Sequence, residues 1–391
     1  MRTQIAALLA LAGLLGACAS TSPSQGPHAF AVDVAPDSAG LAPGDTLHLT
    51  VTVLDSLSQP IVDAPVAFLS RHPAVATVSS TGTVPALTVG RDTVVVLSGA
   101  LKGTVIIDVI PKRVTVAGRP FGIAVSSLGQ VYVTRQDDNA LTRIILGPDT
   151  TAGTVAVGND PGDVVFNAAG TVAYVTNFAG HTVGRIAVGS ATQSDTAGVG
   201  AEAFHVRMSA GGTKVFVASN NGFLYTLNAT TLARMDSVAI EGSPNGLAIK
   251  GDTLAYVSST ATGHVAEIDL KGDTVRRVFN VGGNPQDVLL SAAGTTLFVA
   301  NQDGRLDFVT LSTGTIGTPI SDLPYAFGLA RTAGGDTLYL TSLDGVVRKI
   351  SGTTKAILAT YLVGGTPRRV AVAANGTVVV ANEADRVDII R

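Results

Sequence analysis

The sequence predicts an all-β chain, a seven-bladed β-propeller preceded by a small β-sandwich. The main observation is a tetrad that recurs seven times between Pro120 and Arg391. It reads Tyr132-Val133-Thr134-Arg135, Tyr174-Val175-Thr176-Asn177, Phe216-Val217-Ala218-Ser219, Tyr256-Val257-Ser258-Ser259, Phe298-Val299-Ala300-Asn301, Tyr339-Leu340-Thr341-Ser342 and Val379-Val380-Ala381-Asn382. Successive copies are 42, 42, 40, 42, 41 and 40 residues apart. A fixed period near forty with several strands per unit is the mark of a propeller. The second observation is a run of short alternating strands from His28 to Pro111, with turn clusters every ten or so residues, which points to a sandwich. The third is composition: 44 glycines and no tryptophan in 391 residues suit an all-β chain and exclude Trp-Asp repeats.

Residues 1–17 read as a cleaved leader. Arg2 supplies a positive start, and Ile5 to Leu15 form an apolar stretch too short to span a bilayer. Leu15-Gly16-Ala17-Cys18 follows and resembles the bacterial lipoprotein lipobox. The resemblance implies cleavage before Cys18, acylation of that residue, and a membrane partner through its lipid chains. Several acyl chains on one residue meet the need for more than one lipid signal in a stable anchor. Cys18 is the only cysteine, so a disulfide within the chain is excluded and packing must supply stability. Ala19 stands where the family's inner-membrane retention signal has Asp, which favours the outer membrane or cell surface. Residues 18–27 form a Pro/Ser-rich tether with nothing to bury.

In the sandwich, 28–111, the expected strands are Ala31 to Val34, Thr46 to Leu54, Val66 to Leu69, Ala76 to Val78, Thr93 to Leu97 and Val105 to Val109. Pro43-Gly44-Asp45-Thr46, Val75-Ala76-Thr77-Val78-Ser79 with Gly82, and the closing Gly103 to Val109 resemble the bacterial Ig-like group 2 family. Phe68 sits where many members have Trp. The resemblance implies a spacer or stalk. His48 and His72 are lone histidines and read as surface or packing residues.

Residues 112–391 supply forty residues per repeat. Each inner strand follows a proline, at 120, 161, 244, 285, 324 and 367, with Ala203 substituting in the third repeat. The Val131-Tyr132-Val133 type of run fits a sheet covered on both faces. Gly122, Ala124, Gly246, Ala248 and Ala371 suit strands converging on an axis. These features resemble the YVTN-repeat β-propeller family over the whole region. The last repeat has room for three strands, so residues 113–116 are expected to complete it and remove two sheet edges. Six blades plus a stray repeat is the alternative.

Charge and motifs exclude much. A net charge of −3 with 14% charged residues gives no footprint for nucleic acid. A nucleophile elbow, a Walker loop, His-Glu-x-x-His and an EF-hand loop are all missing, and no cofactor is implied. Asp303-Gly304 and Asp344-Gly345 read as hairpin turns, and Asn177, Asn301 and Asn382 as turn-closing residues.

Counting two residues past each proline gives Gly122, Asp163, His205, Gly246, Asp287, Ala326 and Arg369. Two further on come Ala124, Val165, Arg207, Ala248, Leu289, Gly328 and Ala371. Asp163, His205, Arg207, Asp287 and Arg369 are therefore the candidate residues at one mouth of the central channel. Arginine stays charged and must find partners. One reading is an Asp163–Arg207 ion pair plugging the channel. The other is a pocket for a small polar ligand, completed by Arg135, His181, Asn220, His264 and Gln302.

Two functions follow. The first is an anchored cell-envelope protein whose propeller is a non-catalytic binding or scaffold module for a protein, peptide, glycan or small polar ligand. The alternative is a hydrolase, because YVTN propellers are similar to seven-bladed lactonases. A hydrolase needs an activated water beside a carboxylate or histidine. Asp163, His205 and Asp287 are its candidates, although His181, His205 and His264 lack metal-ligand spacing.

Overall fold

A computed structural model describes residues 28–391, so the leader, Cys18 and the tether lie outside the described residues. All regular structure among the described residues is strand. None contains a helix long and apolar enough to cross a membrane.

The first unit places a four-stranded sheet, in the order Ser38–Leu41, Leu101–Val109, Gly90–Ser98, Ala67–Ser70, over two shorter ladders. Val94, Val105 and Ile107 are fully enclosed between them, with Ala76 and Val84, and the partly buried Phe68 packs against this cluster. Each such branched residue stabilises the fold by about 1.5–3 kcal/mol relative to exposure. The expected strand Thr46 to Leu54 is instead two. Thr46–His48 pairs with Thr83–Pro85 and Thr50–Leu54 with Ala31–Ala35. Between them the Leu49 amide donates to the Gly82 carbonyl at 2.9 Å, and the strand changes partner there. The expected strand Ala76 to Val78 reduces to one bridge, Ala76 to Ala86. The amides of Val75 and Ala76 both donate to the His72 carbonyl, which curls this segment into a turn.

From Lys112 onward the chain builds seven four-stranded sheets in a propeller-like arrangement. The first comprises Pro120–Val125, Gln130–Arg135, Ala140–Ile145 and Thr150–Ala156, all antiparallel neighbours. The next five repeat this order, and each tetrad lies in the second strand. The seventh sheet takes Pro367–Val372, Val378–Asn382 and Arg386–Ile390 from the end of the chain and Lys112–Thr115 from its beginning. That added strand lies one residue earlier than the expected 113–116.

The tetrads explain why the sheets stack. Tyr132 packs with Val164, Phe166 and Ile186 of the second sheet. Val133, next in sequence and on the opposite face, packs with Val379, Ala381 and Val387 of the seventh. Both faces are covered, so alternation is lost and the strand is apolar throughout. Tyr174 also donates its hydroxyl to the Ala229 carbonyl of the third sheet at 2.6 Å. The tetrad-ending asparagines bind their own lead-in loops. Asn301 Nδ2 donates to the Gly282 carbonyl at 2.8 Å while its Oδ1 accepts from the Asn284 amide at 2.9 Å. Asn382 does the same with Gly364 and Thr366.

One alignment made on the prolines is corrected by the register. In the sixth sheet Ala326 pairs with Ser342, as Pro120 pairs with Arg135 and Pro161 with Asn177. Ala326 is therefore the counterpart of the prolines, and Pro324 sits in the turn before it, where the Ala326 amide donates to the Leu323 carbonyl. The residue two positions on is Gly328 rather than Ala326, and the one four positions on is Ala330 rather than Gly328. Strand pairing, not the proline, sets which side chain reaches the axis.

Candidate functional site: a polar cluster on the axis

The seven innermost strands lie side by side, and the first lies against the seventh. Each carries an irregularity just after its first residue, which turns the residue two positions on toward the axis. With the register corrected, that residue is Gly122, Asp163, His205, Gly246, Asp287, Gly328 and Arg369. Where it is glycine, the strands approach closely. A β-carbon on Gly246 would lie 2.6 Å from Asp287 Cα, and one on Gly328 would lie 2.6 Å from the Arg368 carbonyl oxygen. In those sheets the third tetrad residue is Thr134, Ser258 or Thr341, whose hydroxyl accepts the glycine amide at 2.7–2.8 Å. Where the third tetrad residue is Ala218, Ala300 or Ala381, the space at the axis holds His205, Asp287 or Arg369. The second sheet keeps both, Thr176 accepting the Asp163 amide at 2.8 Å.

The five sequence-predicted residues come together. Asp163 Oδ2 accepts from Arg207 Nη1 at 2.9 Å and from the Val206 amide at 3.2 Å. Asp287 Oδ2 lies 2.8 Å from Arg369 Nη1 and accepts from the Leu329 amide at 3.0 Å. Each carboxylate thus takes a backbone amide from the following sheet and a guanidinium. His205 lies between the two, with Nε2 3.3 Å from Asp163 Oδ2 and Nδ1 4.0 Å from Asp287 Oδ1. These imidazole contacts, and that of Arg369, are close but off the hydrogen-bond line. Burial, then the cations Arg207 and Arg369, hold the His205 ring well below the usual imidazole range, so it is neutral. Two carboxylates face two guanidiniums, and the cluster is balanced in charge.

The cluster is not at an open mouth. His205 is fully enclosed, and Asp163, Asp287 and Arg369 are no more than 4% exposed. One residue nearer the start of the strands, Phe121 lies 5.8 Å from both Phe204 and Phe327, edge to face. These rings come from the first, third and sixth sheets, so they meet across the axis and cover it. Arg369 stacks on Phe204 and Phe327 at 5.7 and 5.4 Å, and Arg368 on Phe121 and Phe327. Beside them Asn245 donates to Gln286 at 3.1 Å. Arg207 alone retains exposure, at 32% of its side chain, toward the other end of the strands. Sequence reasoning missed this aromatic layer. Its signal was one column away in the repeat alignment, where phenylalanine follows Pro120, Ala203 and Ala326.

Most of the loop residues expected to complete a pocket are engaged with neighbouring protein groups. Arg135 bonds the Ala117 carbonyl at 2.6 Å and pairs with Asp138. His181 Nδ1 accepts the Glu202 amide at 3.0 Å. His264 lies 4.0 Å from Glu241, and Gln302 accepts from Asn284 and Gln286. Asn220 has a buried Oδ1 with no hydrogen-bond partner. Among the described residues no group of three or more His, Cys, Asp or Glu is arranged to hold a metal ion.

Comparison with known proteins bears on both units. Residues 29–109 match the family model of the bacterial Ig-like domain (group 2). No curated protein matches the chain. Among solved structures, hydrazine synthase of Kuenenia stuttgartiensis is similar in fold, with a TM-score of 0.65 at 18% identity over 71% of this chain and 96% of that one. The Ig-like unit is too short to supply such a match, so the likeness lies chiefly in the repeat region. At this identity it speaks for the fold alone.

Proposed function

We propose that this chain is a lipid-anchored protein of the bacterial cell envelope, at the outer membrane or cell surface. In this reading Cys18 carries the anchor, the Ig-like unit is a stalk, and the repeats form a closed seven-bladed YVTN-type propeller. The propeller is a non-catalytic binding or scaffold module. The strand Lys112–Thr115 beside Arg386–Ile390 supports closure. The group 2 Ig-like match supports the stalk and the surface location.

The observation that carries the non-catalytic reading is the buried, charge-balanced cluster on the axis, covered at one end by aromatic rings. A hydrolase needs its base within reach of water and substrate. Here Asp163 and Asp287 are committed to guanidiniums and backbone amides, and the aromatic layer covers them. The neutral His205 beside Asp163 is the one feature in favour of hydrolysis, and it is enclosed.

Residues 28–391, assayed with a panel of lactones and aryl esters, with and without added zinc or calcium, are expected to show no turnover above buffer. Turnover abolished by Asp163→Ala or His205→Ala would establish the hydrolase instead. Cell fractionation tests the anchor: Cys18→Ser is expected to leave the membrane fraction, and persistent membrane association of that variant sinks the anchor.

A further inference from the structure

Lys250 departs from the repeat. At the turn after the inner strand of four repeats, Ser126, Asn167, Ser209 and Ser291 accept backbone amides, while the seventh has Ala373 there; Ser209 Oγ takes the amides of Thr213 and Lys214 at 3.2 and 3.0 Å. Lysine has no acceptor, so the fourth turn forgoes this cap. Lys250 is half-buried. Its Cε and Nζ lie 3.3 and 3.9 Å from where a β-carbon on Gly294 of the fifth sheet would sit. The stem therefore crosses the groove between the fourth and fifth sheets, with the ammonium at its far end.

That groove is a cavity of about 500 Å³, also lined by Tyr256, Glu267, Arg276, Arg277 and Thr295. Its size is that of a small-ligand site. Two consecutive arginines reach one carboxylate because the outer strand bulges. Glu267 pairs with Arg277 and Ile268 with Val275, leaving Arg276 as the extra residue. Glu267, 4% exposed, lies 2.8 Å from Arg277 and 3.8 Å from Arg276. Arg277 is further committed to the Leu311 carbonyl at 2.6 Å and stacks on Phe279. Among the lining residues one carboxylate faces three cations; Asp269 beside the groove also acts on the half-exposed Arg276, so the unneutralised positive charge rests chiefly on Lys250.

The remaining polar groups are hydroxyls, which can donate as well as accept. Burial, then the Glu267 carboxylate, push the Tyr256 phenol up to about 12, so it keeps its proton at neutral pH. Thr295 adds a hydroxyl. Two other cavities of this chain lack the surplus. Between the fifth and sixth sheets Lys355 shares its cavity with Asp336 and donates to the Thr318 carbonyl. Between the first and seventh, Arg391 is paired with Asp149.

We infer that the groove between the fourth and fifth sheets binds a compact oxyanion, a phosphate or sulfate group. Lys250 and the half-exposed Arg276 supply the positive charge that an anion needs, and the Thr295 and Ser312 hydroxyls can donate to its oxygens. The site is separate from the axis and goes beyond the function proposed above, which stands or falls independently of it.

The test is calorimetric titration of the full-length protein, in mild detergent at constant ionic strength, with inorganic phosphate and separately with sulfate. One-to-one saturable binding of either anion is expected. Binding of phosphate alone assigns the groove to phosphate groups, and binding of both assigns it to oxyanions generally. Lys250→Ser restores the turn cap found in three other repeats, so it is expected to melt no lower than the parent while binding about tenfold more weakly. Adding Arg276→Ala is expected to abolish the heat of binding. Absence of saturable binding by both anions overturns the inference, as does unchanged affinity in a double variant with a parent-like melting curve.

Discussion

His205 makes the stability of the repeat region depend on mild acid. Its ring is fully enclosed, and its folded pKa lies well below the ordinary value of about 6.5. As pH falls through 6.5 the unfolded chain takes up a proton that the folded chain refuses. The folded state is therefore favoured above the unfolded-state pKa, and stability is lost as pH drops. One proton bound only by the unfolded state gives a limiting slope of about 1.4 kcal/mol per pH unit. Integrated from pH 7.5 to 5.5, the loss is about 1.4 kcal/mol. Asp307 and Asp388 have the opposite sign, because burial raises both and protonation favours the folded state, but they act nearer the carboxylate range. The assay is urea denaturation at fixed ionic strength across this window, on the parent, His205→Gln and His205→Asn. The parent midpoint is expected to fall with pH and the variants to lose about 1.4 kcal/mol of that dependence, whatever their absolute stability. A variant with the parent's full slope would refute the assignment of the acid sensitivity to His205.

Three further outcomes follow from the packing. Arg369→Met removes the cation facing the buried Asp287 carboxylate and is expected to cost about 3–5 kcal/mol in urea denaturation, much of it recovered by adding Asp287→Asn; an additive double variant would contradict the pairing. Gly246→Ala and Gly328→Ala force a β-carbon to 2.6 Å from neighbouring backbone and are expected to cost about 1–3 kcal/mol, whereas Gly198→Ala, with open space around it, stays within about 0.5 kcal/mol by the same measurement. Deleting residues 112–117 strips the fourth strand from the seventh sheet and uncovers Val387 and Ile389; a fall in melting temperature of about 5 °C or more is expected, and an unchanged melting curve would count against closure.

Repetition made most of the architecture legible. Strands of the first six sheets are neighbours in sequence, so the tetrad Tyr132-Val133-Thr134-Arg135 and its six counterparts report their own pairing locally, and the short final repeat called for a strand at 113–116, which the structure places at Lys112–Thr115. The same alignment singled out Asp163, His205, Arg207, Asp287 and Arg369, because a charge among glycines and alanines stands out. It failed where local and global register part. Pro324 looked like its counterparts, yet strand pairing assigns their place to Ala326. The split of Thr46 to Leu54 likewise depends on which distant strands each half meets.

What the sequence determined by itself is the repeat, the strands within it, and the short list of side chains that depart from it. Only the tertiary structure decided what those departures do. Phe121, Phe204 and Phe327 cover the axis, and His205 lies between carboxylates from two other sheets, because side chains some 40 to 200 residues apart are brought within a few ångströms. No local pattern encodes that distance. It follows from the close approach of the inner strands at glycines such as Gly246 and Gly328, which draws the sheets inward until their side chains meet.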